Sequence, residues 1–127
     1  MILLDTSFLV GYYRRIDLHH KEAIRMAEAY EGDQAFTISG VFQELLSVMN
    51  RKVSAEAAIQ IGDLILSENS SVQLLKLDDA VFEVAWLKFK KLAPHKLSFV
   101  DCLLLATAEH MDAPLLTFDR ELLSQLK

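Results

Sequence analysis

Short apolar runs that stop abruptly at polar residues recur along the chain. Ile2-Leu3-Leu4 ends at Asp5, Ala35 to Ile38 ends at Ser39, Val72 to Leu77 ends at Asp78, and Leu115 to Thr117 is followed closely by Asp119. Nearly continuous apolar runs of this length read as strands covered on both faces. Between them the apolar positions recur every three or four residues, which is the helical period. Thr6 to Tyr13 reads as a short helix capped by Thr6 or Ser7. A second helix is expected from about Leu18 to Tyr30, with Ala23, Ile24, Ala27 and Tyr30 in register and Gly32 as its stop. Ser39 is the expected cap of a third, with Val41, Leu45, Val48 and Met49 on one face. Ser54 opens a fourth, with Ala58, Ile61, Ile65 and Leu66 apolar. Asp78 caps a long fifth helix carrying Val81, Ala85 and Phe89, which ends before Pro94. Ser98 starts a sixth that runs to about Met111, Pro114 closes the turn after it, and Asp119 caps a last helix.

Four strands alternating with helices predict an α/β fold with parallel strands, right-handed crossovers and helices on both faces of the sheet. The chain has 127 residues with only four Gly and two Pro, and no repeat or linker divides it. A single domain spanning residues 1–127 is therefore expected.

In open parallel sheets, ligands bind outside the carboxyl ends of the strands. Asp5 directly follows the first strand, Glu44 lies in the first turns after the second, Asp101 lies in the first turn of the Ser98 helix, and Asp119 follows the fourth strand. Four carboxylates far apart in sequence are thereby brought toward one edge of the sheet. Each also has a structural reading. Asp5 and Asp119 suit helix caps, Ser98 with Asp101 suits a capping box, and Glu44 suits an exposed helix position. The neighbours weigh against that reading alone. Asp101 lies within Phe99-Val100-Asp101-Cys102-Leu103-Leu104, and Glu44 lies between Val41-Phe42 and Leu45-Leu46. A carboxylate in such surroundings is costly unless it is paired, hydrogen-bonded or metal-bound. Clustered carboxylates also repel one another, and a divalent cation resolves that conflict. An all-oxygen set suits the hard ions Mg²⁺ or Mn²⁺, whose usual employment is phosphoryl chemistry.

Composition bounds the setting. No apolar run reaches the roughly 18 residues of a membrane helix, and Met1 to Leu4 is too short for a signal peptide. The single cysteine, Cys102, has no internal partner, which suits a reducing, cytoplasmic setting and a buried small hydrophobe. The formal charge of −5 argues against holding nucleic acid through bulk positive charge. The basic residues are nonetheless grouped. Arg14 and Arg15 follow the first helix, Arg51 and Lys52 end the Glu44 helix, and Lys88, Lys90, Lys91 and Lys96 precede the Asp101 helix. Cations at helix ends suit the macrodipole; Arg14 and Arg15 are the pair to test first for substrate binding. His19 and Glu22 share a helical spacing but no H-E-x-x-H pattern, so packing or surface exposure is the expected role of His19. Phe82, Trp86 and Phe89 recur at helical spacing, which suits core or interface packing.

Four segments carry a resemblance. Ile2-Leu3-Leu4-Asp5-Thr6-Ser7 resembles the opening motif of PIN domains, and Phe42-Gln43-Glu44-Leu45-Leu46 resembles their second acidic motif. Leu97 to Ala108, around Asp101, resembles the third, and Leu115 to Leu122, around Asp119, resembles the fourth. The four stand in the right order over essentially the whole chain. The likeness extends to the small stand-alone PIN domains that act as ribonuclease toxins of toxin–antitoxin pairs, the VapC-like group. The resemblance implies a three-layer α/β/α sandwich with a short, mostly parallel sheet of four to five strands. It implies a Mg²⁺- or Mn²⁺-dependent endoribonuclease leaving a 5′-phosphate and a 3′-hydroxyl. Carried over, Asp5, Glu44, Asp101 and Asp119 are the acidic metal-site residues, with Thr6, Ser7 and Thr117 supplying nearby hydroxyls and Glu121 a further acid. Asp-Thr-Ser stands where Asp-Thr-Asn is also common, and Cys102 where Ala is more frequent; neither change removes a carboxylate. An RNA substrate and an antitoxin protein are the implied partners.

Other functions fit less well. A PIN-fold binding or regulatory module, acting through a protein partner, would not need complete acidic motifs. The high apolar content does suit a buried homodimer face. A receiver-type phosphoacceptor would need a second acid near the first strand and a lysine at a late strand end. A haloacid-dehalogenase-like phosphatase would need Asp-x-Asp, and position 7 is Ser.

Overall fold

The computed structural model describes residues 1–126. The strands are β1 (Ile2–Leu4), β2 (Ala35–Ile38), β3 (Val72–Leu75) and β4 (Leu115–Leu116). The helices are α1 (Thr6–Tyr13), α2 (His20–Ala29), α3 (Ser39–Lys52), α4 (Ala55–Leu66), α5 (Asp79–Leu92), α6 (Phe99–Met111) and α7 (Arg120–Ser124), with a single 3₁₀ turn at Ala93–His95. The sheet has four strands in the order β3-β2-β1-β4, and every neighbouring pair is parallel. The expected four to five strands thus resolve to four among the described residues.

Strand order and handedness together set the layers. The chain steps from β1 to β2 to β3 in one direction, then returns past β1 to β4. Right-handed crossovers place α1 to α4 on one face and α5 and α6 on the other. The observed packing agrees, since α3 rests on α4, α1 rests on α2 and α3, and α5 rests on α6. The direction of travel reverses between β1 and β4, which makes the carboxyl ends of those two strands the switch point of the sheet.

All three residues of β1 are buried, as are both of β4. Leu3, Leu9, Leu45, Leu104 and Leu122 are almost wholly excluded from water. Each such side chain contributes about 1.5–3 kcal/mol of burial free energy. Cys102 is free and packed in the same core. Phe82 and Trp86 of α5 are half exposed; they pack edge-on or tilted against Phe99, with Phe89 beside them.

Several boundaries differ from the sequence pattern for identifiable reasons. β3 stops at Leu75 rather than Leu77, because its partner β2 ends at Ile38, opposite Leu75. β4 stops at Leu116 rather than Thr117, because β1 ends opposite it at Leu4. The second helix starts at His20, not Leu18; Leu18 is 90% exposed, and the turn before the helix is held by Asp17 accepting from the His19 N–H. The cap of α1 is Asp5, not Thr6 or Ser7, which already lie inside the helix. β2 runs directly into α3, so the cap position falls on Ile38 and Ser39 makes no capping bond. Leu66, expected on an apolar face, is 63% exposed. Ser54, Asp78, Ser98 and Asp119 cap their helices as expected.

One buried hydroxyl ties β2 to the end of β1. Thr37, fully buried, donates to the Leu4 carbonyl at 2.8 Å, one residue before Asp5. Thr37→Val keeps the shape and removes that donor. It is expected to lower stability by about 1–3 kcal/mol, read as a lower denaturation midpoint at unchanged slope.

Candidate functional site

Asp5, Glu44, Asp101 and Asp119 line one open cleft of about 310 Å³ at the carboxyl edge of the sheet. Each arrives from a different element. Asp5 joins β1 to α1, Glu44 sits in α3, Asp101 in the first turn of α6, and Asp119 precedes α7. The sequence reading brought these four together, and the structure does the same.

Asp5 is 4% exposed. Its Oδ1 accepts from the Phe8 N–H at 2.8 Å, and Ser7 Oγ donates to the same carboxylate at 2.9 Å. Thr117 donates to Oδ2. Thr117 Oγ1 also accepts from the Asp119 N–H, and Ser7 Oγ accepts from the Phe118 N–H. Thr117 and Ser7 therefore stitch the end of β4 to the end of β1. Thr6 does different work; its hydroxyl approaches Glu44 Oε1 at 3.4 Å.

The remaining acids are held by helix ends. Asp101 completes a reciprocal capping box, with Oδ2 accepting from the Ser98 N–H at 3.0 Å and its own N–H donating to Ser98 Oγ. Asp119 caps α7, with Oδ1 accepting from the N–H groups of Glu121 and Leu122. Among the described residues, Asp101 Oδ1 and Asp119 Oδ2 accept no hydrogen bond, which leaves each with an uncommitted oxygen. The position of Asp119 is reinforced by stacking. Phe118 lies between His19 (centroids 4.4 Å apart, planes at 8°) and Phe8 (5.9 Å, 17°). The starts of α3 and α6 meet at Gly40, where a Cβ would come within 3.0 Å of Val100 Cγ2.

The electrostatics show first the cost of withdrawing these groups from water and then that of gathering them. Burial pushes the Asp5 carboxyl up to about 6, against the pull of its bonds from Thr117, Phe8 and Ser7, with the Asp119 charge adding to the rise. Glu44 is raised by partial desolvation and then by Asp101. Asp101 is raised by burial, with the Ser98 bonds opposing and Asp119 adding. Among the described residues, no group of three His, Cys, Asp or Glu side chains is arranged to hold one ion. The donor chemistry nonetheless fits Mg²⁺ or Mn²⁺. Mg²⁺ retains several waters and is bound through one or two carboxylates rather than by an all-protein cage.

Other residues fall differently from the sequence reading. Asp17, His19 and Lys52 also line the cleft. Asp17 and His19 come from the irregular segment before α2, although the sequence pattern puts His19 inside that helix as a packing or surface residue, and Lys52 reads from sequence as a helix-end cation. Glu121 is exposed and does not line the cleft wall, though its N–H supports Asp119. Arg14 and Arg15 line a neighbouring cavity instead.

The PIN domain family model matches residues 2–126. The chain belongs to the PIN domain family. Among solved structures, this PIN domain is similar to the Mycobacterium tuberculosis toxin VapC20, which cleaves the sarcin-ricin loop. That match has a TM-score of 0.85 and 23% identity over 98% of this chain and 95% of the other. It is also similar to a chain of a toxin–antitoxin complex from Klebsiella pneumoniae, with a TM-score of 0.67 and 18% identity over 94% of this chain and 87% of the other. No curated protein sequence matches significantly. At these identities the likeness establishes the shared fold. None of the helices among the described residues is long and apolar enough to cross a membrane.

The raised carboxyls predict a pH dependence in the absence of divalent metal. Between about pH 4 and pH 6 the folded PIN domain keeps a proton on Asp5 that the unfolded chain has released. The contribution of this group to stability is therefore full below about pH 4 and is lost as pH rises through about 6, by an amount on the order of 2–3 kcal/mol. Glu44 and Asp101 add to the same direction. Asp5→Asn retains a capping oxygen and removes the charge. In EDTA it is expected to flatten most of this slope and to melt above the wild type at pH 8, as read by thermal denaturation across pH.

Proposed function

We propose that this chain is a divalent-metal-dependent endoribonuclease, acting as the toxin of a toxin–antitoxin pair. The observation that carries the reading is the meeting of four carboxylates in one cleft, with Asp5, Glu44 and Asp101 all raised from their ordinary range. Such a cluster is unfavourable by itself and favourable around a cation. Membership of the PIN family and the likeness to VapC20 support both the activity and the toxin role.

In this reading Asp5 and Asp101 hold Mg²⁺ or Mn²⁺ directly, with Asp119 and Glu44 completing its surroundings. When bound, the ion shields phosphate charge, acidifies water and stabilises the leaving oxygen. The chain's own groups do the positioning. The bonds from Thr117, Ser7 and Phe8 fix the Asp5 carboxylate in one orientation. The capping box aims the uncommitted Asp101 oxygen, and the two N–H groups of α7 aim that of Asp119. Glu44, at the cleft mouth with a raised affinity for protons, orients the attacking water and takes its proton. The water oxygen forms the new bond to phosphorus in line with the departing 3′-oxygen. The P–O3′ bond breaks, leaving a 5′-phosphate on one fragment and, after protonation from solvent, a 3′-hydroxyl on the other. A protein antitoxin is the partner this role requires, and the toxin–antitoxin complex from Klebsiella pneumoniae supports it.

The decisive measurement is cleavage of a labelled RNA in Mn²⁺. Asp5→Asn and Asp101→Asn are each expected to lower the rate by a factor of about 10² or more, with circular dichroism unchanged. EDTA is expected to abolish wild-type cleavage. Undiminished cleavage by both variants, or cleavage indifferent to EDTA, overturns the assignment.

A further inference from the structure

Beside the carboxylate cleft lies a second cavity of about 510 Å³, between the segment that follows α1 and the facing ends of α3 and α4. Its wall carries three cations, Arg14, Arg15 and Lys52, and its apolar surface includes Tyr13, Ile16 and Val53. Lys52 lines both this cavity and the carboxylate cleft, so the two are contiguous. Arg14 marks the same border from the other side, since Asp17 of the cleft stands 3.7 Å from its Nη1.

Two of these three cations are not consumed by internal pairing. Among the described residues, Arg15 and Lys52 have no carboxylate within 4 Å. The Arg14 Nε is buried without a hydrogen-bond partner, which is a costly state for a charged donor. Helix dipoles explain why Arg14 and Lys52 sit at the ends of α1 and α3. They do not explain why cations from two separate elements share one concave wall with exposed apolar surface. Ile16 is 83% exposed and Val53 49%, both unusual for aliphatic side chains beside a cavity. A cationic rim over an apolar floor has the chemistry of a nucleotide, whose phosphate takes charge-assisted bonds and whose base or ribose takes apolar contact.

We propose that this cavity is a nucleotide subsite. It takes the phosphate and base adjacent to the phosphodiester held at the carboxylates, and so sets the path of a single-stranded RNA across the protein. The assignment rests on the nuclease reading above. In a chain of net charge −5 it also supplies the local positive charge that the overall balance withholds.

The test is the double variant Arg15→Gln with Lys52→Gln, two exposed positions whose replacement leaves the core untouched. The probe is a fluorescein-labelled single-stranded RNA of about 12 nucleotides, read by anisotropy in Ca²⁺, which neutralises the carboxylates. The dissociation constant is expected to rise roughly tenfold, and the salt dependence of log K to become shallower by about 1.4, from two lost phosphate contacts. Hydrolysis of bis(p-nitrophenyl) phosphate in Mn²⁺, a diester too short to span both cavities, is expected to stay at the wild-type rate in Arg15→Gln alone, because Arg15 does not line the carboxylate cleft. The single variant Arg15→Gln gives half the change in slope and serves if the double variant folds poorly. Wild-type affinity and salt dependence in the variants overturn the subsite. So does a wild type that binds no RNA, or a variant that keeps RNA binding and loses an oligoglutamate peptide, which would assign the cavity to an acidic protein segment. Loss of RNA binding in the variant, with no hydrolysis by any form of the protein, overturns the nuclease reading and leaves the subsite standing.

Discussion

A carboxylate buried at the end of a parallel strand is the constraint around which this molecule is arranged. Asp5 is withdrawn from water almost completely, yet it ends the strand that pairs with both β2 and β4. Burial disfavours its charged form. The hydroxyls of Thr117 and Ser7 and the Phe8 N–H offset part of that cost, and they do so by joining three elements at one point. The same bonds that tolerate the charge also define where α1 begins and where the segment after β4 must pass. The fold thus carries at the carboxyl edge of its sheet a buried carboxylate whose donors offset only part of the cost of its charge.

The other acids follow the same economy of parts. Asp101 and Asp119 each commit one oxygen to a helix N-terminus and keep the other free. Structural capping and metal binding are therefore not competing accounts of these residues. The cap fixes the carboxylate plane, and the plane determines where the free oxygen points. Phe118, stacked between His19 and Phe8, extends this logic to the segment that presents Asp119.

Much of this was legible in the chain. Continuous apolar runs such as Ile2-Leu3-Leu4 specify doubly covered strands, and polar residues at their carboxyl ends fall on the edge where such sheets bind ligands. The exact ends of β3 and β4 were not legible, because pairing stops where the partner strand stops, and that is a tertiary fact. Ser39 has the propensity of a cap for α3, yet it gives way to a strand running straight into the helix, which puts the cap position on Ile38. Asp17 carries no sequence signal, and His19 reads as a packing or surface residue of the second helix; their place in the cleft comes from an irregular segment positioned by a turn and a ring stack rather than by any repeat. Lys52 reads in the chain as a helix-end cation, and that position is a sufficient local reason for its charge; only the shared wall of two cavities gives it a second one.

Gly40 shows how a residue with no chemistry of its own gauges the site. It stands in the first turn of α3, four residues before Glu44, against Val100, the neighbour of Asp101. A methyl group there would press on the Val100 side chain, which would have to give by a few tenths of an ångström. Val100 stands in the first turn of α6, so that adjustment falls directly beside one of the four carboxylates. The hydrogen at position 40 is in that sense what lets β2 run straight into α3 without disturbing the turn that carries Asp101.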